Sequence, residues 1–274
     1  MMRASLGGMR PARHRADPAW SRGLVELARL LLPTACPGCG VDDVPLCDGC
    51  RRELAAVPRS VGQLSQEQAP STWCRATYDG HVRDVVLAWK DQGRHDLSPV
   101  VAAALAGSAV AALTSVAAAG RVLLVPAPSS RAAVRVRGGD LLAQVADTVA
   151  VSLRRRGWDV ASVRLLRQRP GVRDQSGLGV VAREGNVHGS FVVRPRALGR
   201  ADLPGSRCLL LDDVVTTGAT LAEAARALDD VGCPALGAAV VAATPLRLAG
   251  ARSALTGLAP GLSAPGLSAR GRRV

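Results

Sequence analysis

The stretch CLLLDDVVTTGATLAEAARAL, residues 208–228, limits what the chain can fold into more than any other part of it. Residues 208–211 are apolar without interruption. A short strand of that kind is covered on both faces, as in parallel sheets sandwiched between helices. Two acids, Asp212 and Asp213, follow at the strand's end. A hydroxyl-rich turn comes next, and then Ala and Leu at helical spacing. In an open parallel sheet, ligands bind beyond the carboxyl ends of the strands, so both acids and the turn are expected at the ligand edge.

The same alternation runs back along the chain. WCRATY (73–78) reads as a strand and DGHVRDVVLAWKDQG (79–93) as a helix. An Ala-rich helix follows, then the strand RVLLVP (121–126) and a basic loop, APSSRAAVRVRG (127–138). Residues 140–157 form a helix closed by Gly157, and 159–166 a strand. Residues 167–189 make a long loop with few apolar side chains, where function often resides. SFVV, CLLL and GAAVVAAT are strands, with a helix at 218–232. The expected fold class is α/β, a mostly parallel sheet flanked by helices.

Residues 97–120 carry no charge and are long enough to cross a bilayer. Ten of residues 98–120 are Ala, however, with Ser and Thr interspersed, and membrane insertion is driven by Leu, Ile, Phe and Val. A buried helix on a sheet is expected, and no membrane span.

The net charge of +13 sits mainly at the two ends, with four Arg and no acid in residues 1–15 and five Arg and no acid in 245–274. Basic ends can touch nucleic acid, although solvated tails are the plainer reading. Only six aromatic residues occur, too few for a surface that stacks single-stranded bases. The start of the chain shows no secretory pattern, which points to a cytoplasmic protein. The expected organisation is a basic leader at 1–18, a helix and a cysteine module at 19–57, a polar linker at 58–72, an α/β domain at 73–244, and a basic low-complexity tail at 245–274. The leader and the tail are expected to be disordered.

The module CPGCGVDDVPLCDGC sets Cys36, Cys39, Cys47 and Cys50 in two CxxC pairs, seven residues apart. Four thiolates suit tetrahedral Zn²⁺, and so short a module needs a metal to hold together. Four protein ligands leave no open position, so the zinc is structural. Docking to a protein or to nucleic acid stays open beside that role. Cys74, Cys208 and Cys233 are isolated and read as small buried residues.

At the turn after Asp213, the free N–H groups of a helix start, the closeness Gly218 allows, and the hydroxyls of Thr216, Thr217 and Thr220 suit a phosphate. The two carboxylates would repel that phosphate, so they face another part of the ligand. A sugar diol fits, and so does a metal ion. A pentose 5′-phosphate satisfies both halves.

LLLDDVVTTGAT resembles the phosphoribosyl pyrophosphate (PRPP) motif of type I phosphoribosyltransferases. By that resemblance Asp212 and Asp213 hold the ribose hydroxyls. PRPP contacts extend through Val214, Val215, Thr216, Thr217, Gly218, Ala219 and Thr220, with residues 216–220 on the 5′-phosphate. The chain is further similar to the ComF family, competence-associated proteins that join a cysteine module to such a domain. The segments ATYDGHVRDVVLAWKDQG, LLVPAPSSR and RQRPGVRDQSGL…REGNVHGSF carry that likeness from about residue 24 to 244. Ala127, Pro128, Ser129, Ser130 and Arg131 resemble the loop that receives pyrophosphate. Arg167, Arg169, Gln175, Arg183 and Asn186 match the family's mobile loop, and Lys90 matches a family position. The pattern departs at Gly139 and Asp140, where the family has an aromatic residue and an Asn.

The resemblance implies PRPP binding with Mg²⁺ and transfer of the phosphoribosyl group to a nucleobase or amine, linked to competence and DNA uptake. It also admits a non-catalytic PRPP-binding accessory whose zinc module contacts DNA or a helicase-like partner. Loss of pyrophosphate develops positive charge on the sugar ring, so catalysis rests on positioning and leaving-group stabilisation. Asp212, Asp213, Arg137 and Arg167 are the expected catalytic residues. Arg131 and Arg135 can join Arg137 in clamping pyrophosphate, and Arg169 can close with Arg167 from the long loop. The acceptor is open, and a dimer is one expected assembly.

Overall fold

The computed structural model describes residues 34–169, 189–198 and 207–245. The expected leader, nearly all of the helix at 20–34, the tail from residue 246, and Gln175, Arg183 and Asn186 lie outside the described residues.

In chain order the elements are α1 (Asp48–Leu54), β1 (Arg59–Ser60), β2 (Thr72–Thr77), α2 (Gly80–Asp91), a 3₁₀ turn (His95–Leu97), α3 (Ser98–Ser115), β3 (Val122–Pro126), α4 (Arg131–Arg137), α5 (Leu141–Arg154), β4 (Val160–Ser162), β5 (Leu166–Gln168), β6 (Phe191–Val193), α6 (Pro195–Leu198), β7 (Arg207–Val215), α7 (Ala219–Asp229) and β8 (Ala235–Ala243). The main sheet has the order β1-β2-β8-β7-β3-β4. All neighbours in it are parallel except the short β1 beside β2. β5 and β6 form a separate antiparallel hairpin. The mostly parallel sheet flanked by helices is therefore the architecture of this chain.

Period-two alternation along the central strands feeds two separate cores. Val122 and Leu124 of β3, with Leu209 and Leu211 of β7, face α2, α3 and α5. Leu123 and Val125, with Cys208 and Leu210, face α7 and the hairpin. Helices thus cover both faces, and the strands can stay apolar at every position. Cys74, Cys208 and Cys233 are fully buried on the α7 side.

α3, with the turn before it, is long and apolar enough by length and composition to cross a membrane. It is a core helix instead. Val101, Leu105, Ala109 and Leu113, each four residues apart, are all 0% exposed and share the core with β7 and β8. Its small residues let it lie close to its neighbours. A Cβ added at Gly107 would stand 2.7 Å from the Arg75 guanidinium.

Residues 159–166, read as one strand, divide between β4 of the main sheet and β5 of the hairpin. The basic loop at 127–138 contains a helix, α4. The Ser130 side chain caps its start, accepting from the Ala133 N–H at 3.1 Å, and Gly138 closes it in the left-handed region at φ 70°. Arg and Ala are good helix formers, so capping outweighs the lack of an apolar face.

The cysteine module is docked on the sheet domain. Leu46 and Leu54 are buried in the same core as Val82, Val85 and Trp89 of α2. Arg94 donates to the Pro45 carbonyl at 2.8 Å while its guanidinium holds Asp96. His81 meets Glu53 of α1 at 3.0 Å. The stretch 58–72 contributes β1, and its Val61 and Leu64 pack on the α7-side core.

The hairpin is tied to α7 by Glu223, which is 3% exposed. Its Oε1 accepts from the Phe191 N–H at 2.9 Å, and Arg226 donates to both of its oxygens at 2.8 and 2.9 Å. Burial raises the carboxyl's pKa, but Arg226 and the backbone N–H groups outweigh it, and the net shift is downward. Glu223→Ala takes the acceptor from the Phe191 N–H and leaves Arg226 only Asp230 and the Phe191 carbonyl, and is expected to cost about 2–4 kcal/mol in urea unfolding. A lowered folded-state pKa stabilises the fold fully above the unfolded value of about 4.3 and is lost as pH falls through the folded value. The stability gap between wild type and Glu223→Gln should therefore close in acid.

Candidate functional site

β3 leads through α5 to β4 on one side of the sheet, whereas β7 leads through α7 to β8 on the other. The connections part between β3 and β7, and that is where an open α/β sheet forms its ligand crevice. The Ala127 N–H donates to the Leu211 carbonyl at 2.8 Å and keeps the two exits side by side. Two loops therefore meet there, 127–131 and 216–220.

β7 runs four residues further than its apolar stretch, because Asp212 pairs with Val240 and Val214 with Ala242 of β8. Both acids are thus held on a strand rather than on a loop. Asp213 is 6% exposed. It lies on the Leu209–Leu211 face of the strand, toward α2, and there the Lys90 ammonium forms an ion pair with its Oδ2. Its Oδ1 accepts the Val214 N–H at 2.8 Å, and the Asp212 Oδ1 accepts the Asp213 N–H at 2.9 Å.

Burial, and then the charge of Asp213, push the Asp212 carboxyl up to about 7 against the pull of Lys90. Burial alone would lower the Lys90 pKa, but Asp213 and Asp212 raise it overall, so Lys90 stays charged. α2 starts beside the end of β8, where the Tyr78 N–H donates to Ala243, and its last turn reaches β7. The neighbouring Asp91 holds Arg137 at 2.8 Å, with the Arg137 side chain 17% exposed. One helix end therefore delivers an ammonium to the acid pair and, through the next residue, holds the Arg137 guanidinium of α4.

The turn after Val215 suits an anion. Gly218 sits at φ 89° at the start of α7, where the first N–H groups of the helix have no partner within it. A Cβ there would come within 3.0 Å of Ala69 and Leu64, so a side chain would be strained and crowded. The Gln66 N–H donates to the Thr217 carbonyl at 3.1 Å. The stretch read as a linker thus covers the turn from outside, while Thr216 stays exposed.

In the opposite loop Ser129 donates to Asp140 at 3.0 Å, and Asp140 caps α5 through the Ala143 N–H at 3.2 Å. The departure at Asp140 therefore keeps a capping role that an Asn could also fill. Arg131 and Arg135 are exposed on α4. Arg167 lies in β5 opposite Val192, and among the described residues no hydrogen bond or ion pair joins it to the acids. Lys90 and Tyr78 are the neighbours of the acids that sequence reasoning left without a role. The signal for Lys90 was present, since it is the lone Lys beside 34 Arg.

In the cysteine module the four Sγ atoms lie within 4.8 Å of one another. Tetrahedral Zn–S bonds of about 2.3 Å would place them about 3.8 Å apart, so the cluster can hold zinc with little adjustment. Burial opposes ionisation of Cys36, but the N–H groups of Cys47, Cys39 and Gly38 bring its pKa down to about 6. Cys50 is pushed up by burial and by the three neighbouring thiols. A dication relieves that crowding. A Cβ at Gly38 would stand 2.6 Å from the Cys50 Sγ, so the knuckle closes only around glycine.

Residues 146–252 match the family model of the phosphoribosyl transferase domain. The span runs from α5 through β7, the anion turn, α7 and β8, and leaves out Lys90, loop 127–131 and the cysteine module. No curated protein matches the chain. Residues 146–252 of this α/β fold are thus similar to a phosphoribosyl transferase domain, with the acid pair and the turn after Val215 inside the matched residues.

Purified protein is expected to carry about one zinc per chain by elemental analysis, and Cys36→Ser with Cys39→Ser should lose it and lower Tm. Asp212 has a folded pKa of about 7, well above an unfolded value of about 3.9. It favours folding fully only below the unfolded value, and that contribution is lost as pH rises through the folded one. Asp212→Asn should therefore gain stability over wild type from about pH 4 to about pH 7 and then level off at about 1–3 kcal/mol. Urea titrations across that range check it.

Proposed function

We propose that this chain binds PRPP at the β3–β7 crevice and transfers its phosphoribosyl group to a nucleobase or amine. The observation that carries the reading is the pairing of two carboxylates, held on β7, with an anion-binding helix start only a few residues on, inside a stretch that matches the phosphoribosyl transferase domain. In this reading Asp212 and Asp213 accept hydrogen bonds from the ribose hydroxyls, and residues 216–220 hold the 5′-phosphate through N–H and hydroxyl donors.

Loop 127–131 and Arg137 face the pyrophosphate. The exposed Arg131 and Arg135 are free to swing toward it, and Arg167 at the base of the long loop can close over it. Mg²⁺, when bound, neutralises pyrophosphate oxygens while keeping several waters. Asp213 is already ion-paired, so the oxygens for that ion come chiefly from the ligand. The residues of the chain position the anomeric carbon, stabilise the leaving pyrophosphate and exclude water.

The docked four-cysteine module supports a ComF-like role linked to DNA uptake, with structural zinc and a cytoplasmic location. A second reading, PRPP binding without turnover as an accessory of DNA uptake, draws on Gly139. That position offers no side chain on which an acceptor ring could stack. In the second reading the zinc module contacts DNA or a helicase-like partner.

Calorimetric titration with PRPP and Mg²⁺ is expected to give saturable binding, weakened by about 100-fold or more in the Asp212→Ala, Asp213→Ala double variant, since two hydrogen bonds to charged groups are worth about 3 kcal/mol or more. Binding that survives the double substitution unchanged would overturn the reading. Pyrophosphate release across a panel of nucleobases then separates turnover from binding alone.

A further inference from the structure

The acid pair faces a charge problem that a pentose cannot solve. Ribose hydroxyls are neutral, and two carboxylates next to each other at the end of a covered strand need a positive partner. A divalent ion is the usual kind of answer, yet the described residues already contain one. Lys90 places its ammonium on the Asp213 Oδ2, and its side chain is about two-thirds buried, at 36% exposure. Arg137 is held by Asp91, the residue after Lys90.

The chain's usage of cations sharpens the point, because the lone Lys among 34 Arg lies at the acid pair. An ammonium is a compact point charge on a flexible stem, whereas a guanidinium is a planar fork that needs a wider slot. A substitution bias toward Arg everywhere else makes this Lys hard to explain as a solvated surface residue.

We propose that Lys90 is the resident cation of the Asp212–Asp213 pair, so that pentose phosphate binds there without a metal ion on its sugar side. The inference rests on reading the pair as pentose-binding. A dication at the pair would sit against the Lys90 ammonium, with Arg137 close by, and like-charge repulsion would oppose it. With Lys90 in place, Asp213 is neutralised and held, and Asp212 remains available to a hydroxyl. Any Mg²⁺ requirement then belongs to the pyrophosphate end of the ligand alone. Lys90 acts here as a positioning and charge-balancing residue supplied by α2, outside the residues that match the family model.

The test uses the full zinc-loaded chain and ribose 5-phosphate, a ligand that has the diol and the 5′-phosphate but no pyrophosphate. Calorimetry is run in metal-free buffer and again with millimolar MgCl₂, without chelator, so that the zinc stays in place. Wild type is expected to bind with affinities within about twofold of each other in the two buffers. Lys90→Met should bind at least about tenfold more weakly in metal-free buffer, a loss of one charge-assisted contact, and recover part of that with MgCl₂. Lys90→Arg keeps the charge and should fall between them. It also controls for folding, together with the thermal transition of each variant. Should Lys90→Met not fold, Lys90→Met with Asp213→Asn removes the unpaired charge, and it should bind weakly in both buffers.

A wild-type affinity that rises about tenfold or more with MgCl₂ overturns the proposal, as does a folded Lys90→Met that matches wild type in metal-free buffer. Wild type that binds no ribose 5-phosphate in either buffer overturns the pentose reading itself, and this inference with it.

Discussion

Charge at the end of a buried strand is the constraint around which the rest of this molecule is arranged. β7 is apolar on both faces over its first half, and then carries two carboxylates while still paired to β8. A carboxylate in that position is costly unless a cation reaches it. The cation comes from α2, which begins beside β8 and ends at β7 with Lys90 on Asp213. The same helix end holds Arg137 through Asp91, and so fixes the far end of α4. Two elements distant in sequence are thereby tied to one strand tip, α2 directly and α4 through α2.

The cysteine module takes part in that arrangement at one remove. Its knuckle packs on α2 through Gly38, whose Cα side lies against His81 and Val85, and through the buried Leu46 and Leu54. Arg94, just after α2, reaches back to the Pro45 carbonyl. A metal that closes the module therefore stiffens the helix that carries Lys90. On the other face Glu223 ties the β5–β6 hairpin to α7, and α7 starts at the anion turn. Each half of the crevice thus rests on a buried anchor of its own.

Much of this was legible in the residues alone. Uninterrupted apolar runs at 122–126 and 208–211, with helical spacing between them, point to a covered parallel sheet, the setting in which strands commonly lack a polar face. Asp212, Asp213 and the Thr- and Gly-rich turn mark chemistry suited to a diol and an anion, and the structure sets them at the end of β7 and the start of α7. The CxxC spacing states a four-thiolate cluster, and the Ala-rich composition of residues 98–120 argues for a packed helix over a membrane span. Helix α4 was missed because its face is not apolar, although Ser130 and Gly138 were there as capping signals. The reading of 58–72 as a linker followed its polarity, whereas Leu64 and Ala69 lie over Gly218 and the Gln66 N–H holds the Thr217 carbonyl.

The sequence by itself determined the local chemistry: which residues end a strand, start a helix, cluster as thiols or suit a phosphate. Those choices depend on neighbours a few positions apart, and spacing records them. Only the tertiary structure decided which charges meet. That Lys90 rather than an arginine answers Asp213, that Arg137 is held by Asp91, and that Arg167 is placed in the β5–β6 hairpin all depend on how the elements pack across the sheet. Such contacts span tens of residues and are fixed by packing in two cores, and no local pattern encodes that distance.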